Sequence, residues 1–117
     1  MKISRAFIAL AMTILFSAPA VAHTTIVASN IEKGAELAAA PTVFEFSFGA
    51  KVGLAAIELE TLSGDAVQLD FEPPRQMRKD FEVSLPNLQA GAFVLKWRAV
   101  AKDGHVMRGE IDFTVIG

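Results

Sequence analysis

The sequence predicts an all-β domain in which two antiparallel sheets pack face to face or close into a Greek-key barrel. Three observations carry this. Apolar and polar residues alternate with period two over several short segments, turn residues separate those segments, and after Ala22 no stretch has helical periodicity. Thr25 to Ser29 is the first expected strand. Val43-Phe44-Glu45-Phe46-Ser47-Phe48 is the clearest, with three phenylalanines on one face and Glu45 and Ser47 on the other. Ile57 to Glu60 repeats the alternation, and Gly64-Asp65 turns the chain before Val67-Gln68-Leu69. Phe81 to Leu85 alternates again until Pro86 stops it. Phe93, Leu95, Trp97 and Ala99 line one face of a longer strand, and Ile111 to Val115 closes the chain. This makes about seven one-sided strands, for which an immunoglobulin-like sandwich or a Greek-key barrel is the economical arrangement. Phe44, Phe46, Phe48, Phe81, Phe93, Phe113 and Trp97 are assigned to the core, with the Trp97 indole N–H free to meet a backbone carbonyl or a site.

The first residues have a different character. Met1 to Arg5 is short and positive, Ala6 to Phe16 is apolar, and Ala20-Val21-Ala22 has the small residues a signal peptidase accepts. The expected organisation is a signal peptide over 1–22 and one domain over 23–117, and therefore export to the periplasm. The apolar run is too short to cross a bilayer, which needs about 20 residues, so the mature chain is not expected to insert into a membrane. The formal net charge is −2, and loss of Lys2 and Arg5 makes it more acidic. Such a surface does not attract nucleic acid. There is no cysteine, so disulfides, thiol nucleophiles and thiolate metal sites are excluded.

Two histidines are present. Cleavage after Ala22 makes His23 the first residue, where the free α-amine and the imidazole Nδ1 can chelate one metal. His105 sits in Asp103-Gly104-His105, between the Trp97 strand and the last one. Glycine permits a sharp turn there, and an extended local backbone would put the flanking side chains on one side. An amine, two imidazoles and a carboxylate suit Cu(II), one per chain, although zinc could use the same atoms. Met77 and Met107 form no methionine cluster for Cu(I). Met107 is open to a core role, a weak axial position or neither. Arg75, Arg78 and Lys79 follow Pro73-Pro74 as a small basic patch, read as a solvated loop or as a docking surface for an acidic partner.

The chain resembles the CopC family of periplasmic copper-resistance proteins, also described as YobA-like. The resemblance rests on Ala20-Val21-Ala22-His23, Gly34-Ala35 with Ala40-Pro41 before Phe46-Ser47-Phe48, and the run Trp97 to His105 with Gly109 and Phe113-Thr114-Val115 downstream. It implies a Greek-key β-barrel or sandwich with one Cu(II) site made by the N-terminal amine and imidazole of His23, Asp103 and His105, of the kind that binds Cu(II) only. It also implies copper sequestration, trafficking or resistance without catalysis, and exchange with a CopD-like inner-membrane protein. The chain departs from the family pattern at Ile31-Glu32, Gly49 and Val106. The competing readings are a small copper-dependent oxidase-like enzyme and an interaction module without metal, and a monomer is expected throughout.

Overall fold

The computed structural model describes residues 25–117, and every regular element among them is a strand. In chain order these are β1 (Ile26–Ser29), β2 (Ala35–Leu37), β3 (Val43–Thr61), β4 (Ala66–Val67), β5 (Arg78–Ser84), β6 (Gly91–Ala101) and β7 (Val106–Val115). They form one curled, seven-stranded half-barrel. Its main order is β1-β3-β6-β7-β2, with β4 and β5 also paired to β3. All pairings are antiparallel except β2 with β7.

The 19-residue β3 makes the curl. Its first half pairs with β1 on one edge and β5 on the other, and its second half pairs with β6 and β4. The two segments read from the sequence as separate strands, around Phe44 and around Ile57, are therefore one strand that passes from one layer to the other. Gly49, Ala50 and Lys51 are exposed at the crossing. The register shifts again between Leu54 and Ala56, so the inward positions change from Phe44, Phe46, Phe48, Val52 and Leu54 to Ile57 and Leu59. A bulge inserts one residue and so reverses which parity faces the core.

The aromatic stripe is the core, as expected. Phe46 stacks on Phe44 and Phe81, Phe93 stacks on Phe113, and Phe48 meets Trp97 edge to face with centroids 5.2 Å apart. Trp97 is only 6% exposed and Met107 only 9%, so both are packing residues. Two strands differ from the sequence reading. Ala35–Leu37 was not anticipated and is held parallel to the end of β7. The expected strand at Val67 to Leu69 is reduced to Ala66–Val67, paired with Leu59 and Glu60.

Candidate metal centre

Asp103 and His105 lie in the hairpin that joins β6 to β7. Val100 and Val106 are the last cross-strand pair. The Ala101 N–H donates to the His105 carbonyl (2.8 Å), and the Gly104 N–H donates to the Ala101 carbonyl (2.9 Å). Lys102, Asp103 and Gly104 thus form a three-residue loop, a tight turn followed by a residue of left-handed backbone. Gly104 has φ +93°, and no atom lies within 4 Å of where a Cβ would be. Glycine is required for its backbone conformation and not for lack of space.

The segment is a turn, where an extended backbone had been the condition for bringing the two side chains together. The turn does so by another route. Asp103 Oδ1 accepts the His105 backbone N–H (3.1 Å), and Oδ2 lies 2.7 Å from His105 Nδ1. An aspartate that folds back on the backbone two residues ahead is a common turn device, and here it also fixes the imidazole. The His105 backbone N–H, then its ring, hold the Asp103 carboxyl below the usual carboxylate range. With Nδ1–H donating to the carboxylate, Nε2 keeps the free lone pair. Both side chains are open to solvent, at 64% for Asp103 and 81% for His105. An exposed imidazole nitrogen and a carboxylate that stays ionised are donors a borderline divalent ion can reach without displacing core residues.

His23 lies outside the described residues, as does the whole predicted signal peptide. The strand it would precede is well placed. β1 runs antiparallel to β3, with Ile26 opposite Phe48 and Ser29 opposite Phe46. The beginning of β1 therefore faces the part of β3 that leads to Lys51 and Val52, and Val52 pairs with Ala101. Thr25 and Ile26 share one groove with Arg108 and Gly109, just beyond His105 on β7. Asn30 secures this register, its side chain donating to the Val43 carbonyl (2.9 Å) and accepting from the Glu45 N–H (2.8 Å).

Among the described residues, no three His, Cys, Asp or Glu side chains gather as a metal cluster. The structure brings together two of the three sequence-predicted ligands. It also adds residues the sequence did not associate with the site. Lys51, Met77, Ala101, Lys102 and Asp103 line one shallow concavity. They come together through the Val52–Ala101 and Val52–Arg78 pairings, which no local pattern announces.

The CopC domain family matches residues 26–116, nearly all of the described chain. The chain belongs to the CopC family. This is a family of periplasmic copper-resistance domains. The chain is 32% identical, over 98% of its length, to the copper transport protein CutJ of Bacillus subtilis (strain 168), and it spans 22% of that protein. The crystal structure of CopC from Methylosinus trichosporium OB3b is similar over 80% of this chain and 94% of that one, with a TM-score of 0.68 and 26% identity. PcoC, a copper resistance protein from Escherichia coli, shares the fold, with a TM-score of 0.62 at 22% identity over 78% of this CopC-family chain and 98% of PcoC.

Proposed function

We propose that this CopC-family chain is exported with cleavage after Ala22, and that the mature domain, 23–117, carries one Cu(II) in the periplasm. The ligands are the α-amine and imidazole of His23, the Asp103 carboxylate and the His105 imidazole. The observation that supports this most is the hairpin itself. It holds Asp103 against His105 on an exposed turn, at the end of the sheet where β1 begins. His105 would bind through Nε2, and the turn orders both groups before metal arrives. Such preorganisation lowers the conformational cost of coordination. Copper is cargo in this reading. The similarity to a protein named for copper transport and to one named for copper resistance supports trafficking or sequestration, with a CopD-like inner-membrane protein as the exchange partner.

The test is a Cu(II) titration of correctly processed protein followed by electron paramagnetic resonance. One equivalent should bind in a nitrogen-rich environment. His105→Ala, and separately a form with one extra residue ahead of His23, should each lose at least about tenfold in affinity, the low end of the loss on disturbing a metal site. Equal binding by all three proteins would reject the ligand set.

A further inference from the structure

We infer that the corner of the half-barrel beside the Asp103–His105 turn is a docking face for an acidic protein surface. Lys51 and Lys102 are distant in sequence and become neighbours because Val52 pairs with Ala101. Arg78 joins them across Val52 from β5, with Lys79 next to it, and Arg75 precedes it in the loop; all five are exposed. Lys33 and Lys96 are used differently: Lys33 pairs with Asp112 and Lys96 with Glu60. Among the described residues, none of the five corner cations forms an ion pair, and Arg78 reaches only the Gln76 side chain at 3.4 Å. A group of like charges without ion-pair partners, in a chain of net charge −2, adds little to the stability of the folded domain but favours the approach of an acidic surface. Met77 lines the same concavity as Lys51, Lys102 and Asp103 and is 37% exposed. Methionine and arginine are both enriched in protein interfaces, methionine because it adapts to the surface it meets.

A protein fits better than an anionic membrane. The outer face of β3 and β5 next to Arg78 carries Glu45, Asp80 and Glu82. A flat anionic surface would oppose these carboxylates, whereas a protein can present acidic groups to the corner alone. The exposed large apolar residues near the corner are Val27, Met77 and Val106, with no aromatic to anchor in lipid. Asp103 is the one carboxylate in the concavity. On the copper reading, Cu(II) cancels its charge, so the loaded domain should dock more tightly than the empty one. The face itself does not depend on that reading.

The probe is decaglutamate peptide, titrated into isotopically labelled metal-free protein at low salt, with decaglutamine as control. Backbone amides of Lys51, Met77, Arg78 and Lys102 should shift saturably with glutamate only. The shifts should vanish near 1 M salt, where screening acts within about 3 Å. Lys51→Gln with Lys102→Gln should weaken binding about fivefold, as expected for two exposed charge pairs. Arg98→Gln with Arg108→Gln, the same charge change on the outer face of β6 and β7, should leave it unchanged. Equal shifts with decaglutamine, equal loss in both double variants, or binding of phosphatidylglycerol vesicles in place of the peptide would overturn the docking face. Repeating the titration with copper-loaded protein separates the two ideas. Peptide binding that is present but indifferent to Cu(II) keeps the face and counts against Asp103 as a copper ligand.

Discussion

At the scale of single residues, the proposed ligand set divides the pH dependence of copper binding between a carboxylate and nitrogen donors. Asp103 is kept ionised by its hydrogen bonds to His105, and a depressed carboxyl makes its contribution above its unfolded value and loses it only as the pH falls through the folded one. On the proposed ligand set the competing protons come instead from nitrogen donors, the α-amine first, with a reference value of roughly 7.7 to 8.0. Cu(II) affinity should therefore decline as the pH falls below about 8, which a competition titration against a chelator of known pH dependence would measure. A decline that began only in the carboxylate range would mean that nitrogen does not dominate the site. Two glycines here serve different purposes. Gly104→Ala would put a side chain at φ +93°, costing about 1–2 kcal/mol and loosening the Asp103–His105 contact, so weaker copper binding should accompany the lower stability. Gly109 has ordinary backbone, but a Cβ there would lie 2.5 Å from the Trp97 ring. Gly109→Ala should destabilise by roughly 1–3 kcal/mol as an overpacked site does, and should alter the fluorescence of Trp97, the one tryptophan in the chain. The importance of the Trp97 side chain was legible from its place in the alternating strand. The dependence of Gly109 on it was not, because cross-strand neighbours are set by register.

Between strands, register explains what the sequence pattern revealed and what it hid. Alternation identified the Phe44, Phe81, Phe93 and Ile111 segments because each has one buried face, and a half-buried strand must repeat with period two. It could not join the Phe44 and Ile57 segments, since the exposed Gly49-Ala50-Lys51 corner and the shift after Leu54 interrupt the parity. Nor could it show β2, whose three residues depend on the free edge of β7. The same register sets Glu45 directly opposite Glu82 on the outer face. A shared proton with Glu82, together with some burial and the repulsion between them, raises the Glu45 carboxyl above its ordinary value. A raised acid binds its proton more tightly when folded, so its contribution favours folding at low pH and is lost as the pH rises through the folded value. Like charges placed opposite each other across two strands oppose pairing. Glu45→Gln should therefore be more stable than the parent at neutral pH, with the difference shrinking toward pH 4.5, the unperturbed value. Denaturant midpoints measured across that interval would check it, and a difference independent of pH would assign the effect to something other than the carboxylate pair.

For the molecule as a whole, Asp103 and His105 are separate from the core. Among the described residues, the buried set runs from Ile31 to Val115 and contains no polar or charged side chain, while Asp103 and His105 project from the far end of a hairpin. Folding should then need no metal, unlike small domains whose metal replaces a core. Chelator treatment should leave far-ultraviolet circular dichroism and the Trp97 signal unchanged. Copper should still raise the midpoint of thermal unfolding, because an ion bound by the folded state alone stabilises it by mass action, about 2.7 kcal/mol at a hundredfold excess over Kd. The increment has a further use, since on the proposed ligand set it depends on two separate parts of the chain. One added residue ahead of His23 removes the chelating amine while leaving the Asp103–His105 turn and the core as they are. That form should unfold at the same temperature as the parent without copper and lose most of the gain with it. An unchanged gain would show that the turn binds copper without the N-terminus, and a lower midpoint without copper would show that the first residues of the mature chain contribute to the fold itself.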